Sequence, residues 1–135
     1  MERVDIHHFA FIRDEDTDCF IAAFGEDEEN VVMIQLAFEF DKQDTELGWD
    51  TYCLVLPSQA TFYGGVQKCA LEGEKLTLWL SDEAKAELEI DDLELHLRPW
   101  MASDPQLIHA LTTVFNVPRD RPELVLNPSS SALQA

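Results

Sequence analysis

An alternation of apolar and polar residues with a period of two runs through the first two thirds of the chain. The longest run covers 31–40, where every even-numbered side chain from Val32 to Phe40 is apolar. Because successive side chains of a strand point to opposite faces of a sheet, this period predicts β-strands with one buried face. Further strands are predicted over 4–12, 19–24, 51–56, 66–71, 75–80 and 93–97.

Two helices are predicted in the last third of the chain. Ser81 is followed by two acidic residues, a typical helix start, which predicts a short helix near 82–88. Asp104-Pro105 begins a segment whose apolar residues recur at helical spacing, which predicts an amphipathic helix near 104–116. The expected fold class is therefore α+β, a mainly antiparallel β-sheet with the C-terminal helix packed on one face.

Length and composition predict one folded unit. A chain of 135 residues with 46% hydrophobic residues is large enough to bury a core and is too apolar for a disordered acidic tail. We expect a single α+β domain over 1–127 and a flexible tail over 128–135, where proline and serine replace the apolar pattern. The N-terminal residues lack a signal-peptide pattern and no run of 18 apolar residues occurs, so the expected location is the cytoplasm.

Negative charge is concentrated in one part of the chain. The whole sequence has 27 Asp and Glu against 9 Lys and Arg, a formal net charge of -18. Between Asp14 and Gln67 there are 13 Asp and Glu residues and a single basic residue, Lys42. A field of this sign accelerates encounters with a basic partner and repels nucleic acid and anionic membranes. Neither nucleic acid nor a membrane is therefore an expected partner.

No metal or cofactor site is predicted. Carboxylates at Asp14, Asp16 and Asp18 match the first positions of a calcium-binding loop. The residues at the positions that need glycine and a bidentate glutamate are Cys19 and Gly25, so a solvated turn is the better interpretation. Two adjacent histidines at 7 and 8 lie on a predicted strand, where their rings point to opposite faces and do not share an ion.

No catalytic group is predicted either. Ser58 and Ser81 lack the glycine-flanked elbow that exposes a serine nucleophile. Tyr63-Gly64-Gly65 lacks the further glycine and the lysine of a phosphate-binding loop and predicts a turn or bulge entering the strand at Val66. An enzyme that uses a pair of carboxylates remains an alternative, and it requires a pocket lined by two close acids with a raised pKa.

Several short motifs follow one another in a fixed order between Asp18 and Phe115. They are Asp18-Cys19-Phe20, Phe24-Gly25-Glu26-Asp27, Ile34-Gln35-Leu36, Asp41-Lys42-Gln43-Asp44, then Gly48, Asp50, Tyr52 and Gln59, and Tyr63-Gly64-Gly65-Val66. In order and spacing they resemble the immunity protein 10 family of bacterial polymorphic toxin systems. The resemblance implies a non-catalytic cytoplasmic inhibitor that binds and neutralises a cognate toxin domain.

The acidic block and the resemblance together predict a contact surface for a basic toxin. Trp49 is its expected aromatic anchor, because tryptophan among polar loop residues often becomes a central contact; the alternative is that its ring folds back onto the core. The predicted partner-binding residues are Glu26, Asp27, Glu28, Glu29, Asp41, Asp44, Glu46, Trp49 and Asp50. The alternative function is a small acidic structural or regulatory module that forms a homodimer through an exposed strand edge.

Overall fold

Two five-stranded sheets form the framework of the computed structural model, which describes residues 1–128. Its strands are β1 (Glu2–Asp5), β2 (His8–Asp14), β3 (Cys19–Gly25), β4 (Val31–Ala37), β5 (Cys53–Val55), β6 (Thr61–Tyr63), β7 (Val66–Gly73), β8 (Lys75–Leu80), β9 (Leu93–His96) and β10 (Glu123–Pro128). Its helices are α1 (Lys42–Leu47), α2 (Asp82–Leu88), α3 (Pro99–Ala102) and α4 (Pro105–Val114). The α+β class is confirmed. Of the tail predicted at 128–135, all residues after Pro128 lie outside the described part.

Most strand pairings are antiparallel, as predicted, but the strands form two sheets and not the single sheet that was expected. The first sheet has the strand order β1-β9-β8-β7-β10 and the second has the order β2-β3-β4-β5-β6. The second sheet is antiparallel throughout. The first is mixed, because β1 pairs in parallel with β9 and β10 pairs in parallel with β7. A periodicity of two identifies strands but carries no information on which strands pair.

The chain crosses from the first sheet to the second at Ile6 and His7. The amide of Ile6 donates to the carbonyl of His96 in the first sheet at 2.8 Å, and the amide of His7 donates to the carbonyl of Gly25 in the second at 2.8 Å. The single strand predicted over 4–12 is therefore two strands. A phase change marks the crossing, since the core-facing positions are even up to Ile6 and odd from Phe9 onward.

The segment after β4, where no helix was predicted, contains the helix α1. Asp41 caps the helix by accepting a hydrogen bond from the amide of Asp44 at 2.7 Å, and the Asp44 carboxylate accepts from the amide of Asp41 at 3.0 Å. This reciprocal capping box stabilises a short polar helix without any buried side chain. The periodicity of apolar residues cannot reveal such a helix.

Buried side chains of both sheets and of α4 belong to one continuous core. α4 begins after Asp104, whose carboxylate accepts from the amide of Gln106 at 2.9 Å, and its ten residues contact β2, β3 and β4. α2 begins after Ser81, whose hydroxyl accepts from the amide of Ala84 at 3.1 Å. Within residues 1–128 no helix is long and apolar enough to span a bilayer.

The chain returns to the first sheet at Gly64 and Gly65, where β6 ends and β7 begins. Both glycines have positive φ angles, +76° and +90°, which other residues rarely adopt. A register shift between Val66 and Lys68 follows directly. Glycine is required at this crossing because it turns the backbone sharply between two sheets that share one core.

Candidate functional site

Glu26 to Glu29 form the turn between β3 and β4. Asp27 organises the turn: its carboxylate accepts hydrogen bonds from the amides of Glu29 at 2.9 Å and Asn30 at 2.8 Å, and from the Asn30 side chain. The Asn30 side chain is the main cause of the lowered pKa of Asp27, which therefore stays ionised. Glu26, Glu28 and Glu29 are exposed, and their carboxylates have no bond to another side chain within residues 1–128.

Asp41, Asp44 and Glu46 lie on α1 or at its start. The first two form the capping box, so they have a local structural role in addition to their charge. Glu46 is exposed and lies 3.8 Å from the Lys42 amine, an exposed pair of the kind that adds little stability. Its charge therefore remains available to a partner.

The two acidic segments lie at opposite ends of the second sheet. In the β3–β4 pairing, Gly25 faces Val31 beside the 26–29 turn, whereas Cys19 faces Ala37 at the other end, next to α1. Six residue steps along a strand correspond to about 20 Å. The nine predicted contact residues therefore do not form a single patch; they form two groups separated by the length of the sheet.

Trp49 follows α1 and stacks on Tyr63 of β6. Their ring centroids are 5.4 Å apart and their planes are 18° from parallel. Trp49 remains 41% exposed and Tyr63 42% exposed, so neither predicted alternative describes Trp49 fully. Its ring rests on the edge of the sheet while one side stays open to solvent. The predicted contact residues did not include Tyr63. Its alternation with Phe62 was the available signal, because it places the two side chains on opposite faces of β6.

Asp50 differs from the other predicted contact residues because it is only 8% exposed. Its carboxylate accepts a hydrogen bond from Arg119 Nε at 2.5 Å, and this pair is the main cause of the lowered pKa of Asp50. The neighbouring Thr51 hydroxyl donates to the carbonyl of Arg119 at 2.7 Å. Asp50 therefore anchors the loop after α4, and its charge is neutralised within the chain.

The turn between β2 and β3 adds acidic residues that the predicted contact surface omitted. The amide of Phe38, just after β4, donates to the carbonyl of Asp18 at 2.9 Å, so this turn lies at the α1 end of the sheet. Glu15 pairs with Arg13 at 2.7 Å, while Asp16 and Asp18 are exposed. The register of the β3–β4 hairpin, which pairs Cys19 with Ala37, was the signal that could have placed the 14–18 turn beside residues 38–41.

Residues of the motifs that follow α1 build the framework. Gly48 ends α1 with a φ of +76°. The Tyr52 hydroxyl accepts from the amide of Val66 at 2.7 Å, and the Tyr52 carbonyl accepts from the amide of Gly64 at 2.9 Å, which joins β5 to the crossing between the sheets. Burial raises the pKa of Tyr52. These motif residues therefore maintain the fold, while most of the acids lie on the surface.

The described residues were searched for a cluster that could bind a metal ion. Within residues 1–128 no group of three or more His, Cys, Asp or Glu side chains could hold a metal ion. Hydrogen bonds from neighbouring groups lower the pKa values of the Asp27, Asp50 and Asp91 carboxyls. Burial raises the pKa of the Cys69 thiol to about 12, which makes it unreactive at neutral pH.

Comparison with known proteins identifies the family. No curated protein and no solved structure matches the chain significantly. The family model described as Immunity protein 10 matches residues 5–106, a range that includes both acidic ends of the second sheet, the Trp49–Tyr63 stack and the glycine crossing. Arg119 and β10 lie beyond the match. The match covers most of the length of the chain, and the chain therefore belongs to the Immunity protein 10 family.

Proposed function

We propose that this chain is an immunity protein that binds a cognate toxin domain and neutralises it without catalysis. Family membership implies a toxin-neutralising role in general, and the match over residues 5–106 is the observation that carries the proposal. The proposed action takes place in the cytoplasm, where the chain would meet a toxin delivered from a neighbouring cell or made in the same cell.

A basic toxin domain is the partner that the charge distribution favours. Exposed carboxylates flank the second sheet at the 26–29 turn and at the α1 end, and the chain carries a formal net charge of -18. Toxin domains that act on nucleic acids are themselves basic, because they bind phosphates. An acidic inhibitor accelerates its encounter with such a domain and covers the surface that the nucleic acid would occupy.

Inhibition by binding also fits the ionisation of the described side chains. An enzyme that uses two carboxylates needs one with a raised pKa to act as an acid near neutral pH. Within residues 1–128, the pKa values of Asp27, Asp50 and Asp91 are lowered, the opposite direction. The cause is hydrogen bonds that stabilise turns and loops. These groups favour a structural interpretation over a catalytic one.

Titration of toxin activity tests the proposal. Sequencing of the genes beside the one for this chain provides the probe, which is expected to be the C-terminal toxin domain of a secreted protein. Its activity is expected to fall linearly with added chain and to reach zero at a fixed stoichiometric ratio, because a non-catalytic inhibitor acts by occupancy. A toxin domain of another family should keep its activity in the same titration. Full activity of the neighbouring domain at tenfold excess of chain would contradict the proposed function.

A further inference from the structure

Within residues 1–128, one face of the second sheet is not covered by any helix or strand of the core. Side chains at even positions of β3 and β4, such as Phe24 and Ile34, are buried, as α4 packs on that side. The side chains between them point the other way and meet solvent. We call this surface the open face and define it by Ala10, Ile12, Ile21, Ala23, Val31 and Met33. Ile12 is 45% exposed, Ala10 is exposed, and the other four are half-buried.

The open face is contiguous as well as apolar. Strand pairing aligns Ile12 with Ile21 across β2 and β3, and it aligns Ala10 with Ala23 and Ala23 with Met33 in the next row. A sheet face that meets solvent usually alternates to polar residues. The outward face of the first sheet is mixed, since Lys68, Lys75 and Glu94 share it with Trp79 and Val125. Contiguous apolar patches such as the open face mark interaction sites.

Charge borders the open face at both ends. The 26–29 turn lies at one end, and α1 with the 14–18 turn lies at the other. At the first end, Ala10, Ala23 and Val31 line a cavity of about 240 Å³ whose rim includes Asp27 and Glu28. An apolar floor with carboxylates at the rim suits the side chain of a partner lysine or arginine, whose aliphatic stem packs while its charged end pairs with the acids.

Aromatic side chains border the open face near α1. The Trp49–Tyr63 stack lies at a second cavity of about 100 Å³, which is also lined by Cys19 and Cys53 from the same side of the sheet. Half-exposed aromatic rings beside an apolar surface are the residue type that most often dominates binding energy in interfaces. The apolar surface therefore extends from the cavity beside Asp27 and Glu28 at one end to the Trp49–Tyr63 pair at the other.

We propose that the open face is the centre of the toxin contact. The partner surface that fits it has an apolar middle and lysine or arginine side chains at both ends, about 20 Å apart. This inference rests on the proposed function and specifies where the toxin docks. A second copy of the chain fits poorly, because it would place its own acidic turns against those of the first copy.

Size supports the same assignment. Three strands at about 4.8 Å spacing and about 20 Å of length give the open face an area of about 300 Å². A stable interface buries about 800 Å² on each partner, with an apolar centre and a polar rim. The open face with its two acidic ends and the aromatic pair provides a surface of that order.

Substitutions that remove apolar character without changing charge test the proposal. The probe is the neighbouring toxin domain, and the variants are Ile21→Gln and the double variant Ile12→Gln with Ile21→Gln, since glutamine already occupies this face at Gln35. Val125→Gln is the matched control, because Val125 lies on a strand of the first sheet between the core-packed Leu124 and Leu126. Thermal unfolding confirms that each variant folds.

The expected result is a Kd at least tenfold higher for Ile21→Gln, higher still for the double variant, and unchanged for Val125→Gln. If the wild type binds the toxin and the folded open-face variants bind it with the same Kd, this inference is overturned and the proposed function stays intact. Absence of wild-type binding would overturn both. A chain that is dimeric alone and becomes monomeric with Ile21→Gln would assign the face to a second copy and overturn the toxin assignment.

Cysteine alkylation provides a second measurement on the unsubstituted protein. Cys19 lies on the open side of β3 and is half-buried, whereas Cys69 is buried in the core. Saturation with the toxin domain is expected to slow alkylation of Cys19 at least tenfold relative to the free chain, while Cys69 stays unreactive in both. Equal Cys19 rates with and without bound toxin would show that the toxin docks elsewhere.

Discussion

Asp50 shows how an acidic residue in a charge-rich segment can serve the fold instead of the surface. Its carboxylate pairs with Arg119, which lies 69 positions away in the chain. The neighbouring Thr51 hydroxyl reinforces the contact through the Arg119 carbonyl. Because most of the other acids in this part of the chain are exposed, the burial of Asp50 distinguishes it from residues of the same composition.

Removal of the Asp50 charge is expected to destabilise the protein in a pH-dependent way. The pair with Arg119 lowers the folded-state pKa of Asp50 below its ordinary value of 3.8, so it stabilises the fold at pH above 3.8. That stabilisation disappears as the pH falls through the lowered pKa. Asp50→Asn should therefore lower Tm at pH 7, and the difference from wild type should shrink as the pH falls below 3.8.

Thermal unfolding between pH 7 and pH 2 measures this effect. Glu46→Gln is the control, because it also removes one negative charge but breaks only an exposed ion pair with Lys42, which adds little stability. It should leave Tm at pH 7 nearly unchanged. Equal Tm values for Asp50→Asn and wild type at pH 7 would show that the Asp50–Arg119 pair does not stabilise the fold.

A Gly65→Ala substitution is expected to be more damaging than the same change at Gly48. Both glycines have positive φ, +90° and +76°, so alanine costs about 1–2 kcal/mol at either position. At Gly65 the new Cβ would also lie 2.8 Å from Ala84 Cβ and 2.8 Å from the Phe62 ring, whereas Gly48 has open space. Overpacking adds about 1–3 kcal/mol. Urea unfolding measures both, and equal losses would contradict the close packing at the crossing.

At the scale of elements, α1 is the helix with the least contact to the core. None of its side chains is buried, and its capping box and the terminal Gly48 define where it begins and ends. Local unfolding of such an element requires less free energy than unfolding of the whole domain. Three proposed contact residues lie on α1 or at its start, and this segment can therefore adjust to a partner. They are Asp41, Asp44 and Glu46.

Loss of the α1 cap is expected to open the helix and leave the domain folded. Asp41→Ala removes the acceptor for the amide of Asp44, a change that costs about 0.5–2 kcal/mol of helix stability. Amide hydrogen exchange at residues 44–47 should accelerate, while the global free energy of unfolding changes little. Lys42→Ala, which removes an exposed ion pair, is the control. A global loss as large as the local one would show that α1 unfolds only with the core.

Element prediction from sequence succeeded where one periodicity persisted and failed where it changed. Residues 75–80 alternate regularly and form β8 over the same range. Residues 4–12 carry two alternations in opposite phase, because the chain leaves one sheet for the other at Ile6, and a single strand was the wrong interpretation. β10 lies among prolines and pairs with β7 through contacts remote in sequence, so local patterns did not indicate it.

The candidate site was predictable in its parts and unpredictable in its arrangement. Composition identified the acids and the motif order identified the family, which the match over residues 5–106 confirmed. The separation of Glu28 from Glu46 by the length of a strand depends on sheet register. The open face also escaped prediction, because Val31 and Met33 are apolar, a pattern that is equally typical of a strand buried on both faces.

At the scale of the whole molecule, the two sheets contribute to one core but present different outer faces. Side chains of both sheets join the same buried cluster, which supports our proposal that residues 1–127 form a single domain. The outward face of the first sheet mixes charged residues with Trp79 and Val125, whereas the open face of the second is apolar with acidic ends. This asymmetry means that a partner drawn by charge would be oriented toward the second sheet.

We propose that this acidic chain binds a basic toxin through the open face and the acidic ends of the second sheet. The most direct test of this proposal is the association rate with the neighbouring toxin domain, measured at several ionic strengths for wild type and for the triple variant Glu28→Gln, Glu29→Gln and Glu46→Gln. A control triple variant carries the same charge change at Glu72, Glu74 and Glu87, which are exposed on the first sheet and α2.

The wild-type rate should fall as salt rises, and the first triple variant should associate about tenfold more slowly than the control at low salt, because steering depends on where the charges lie. The difference should narrow at high salt as the charges are screened. Equal rates for the two triple variants, or a wild-type rate that salt does not change, would contradict the account.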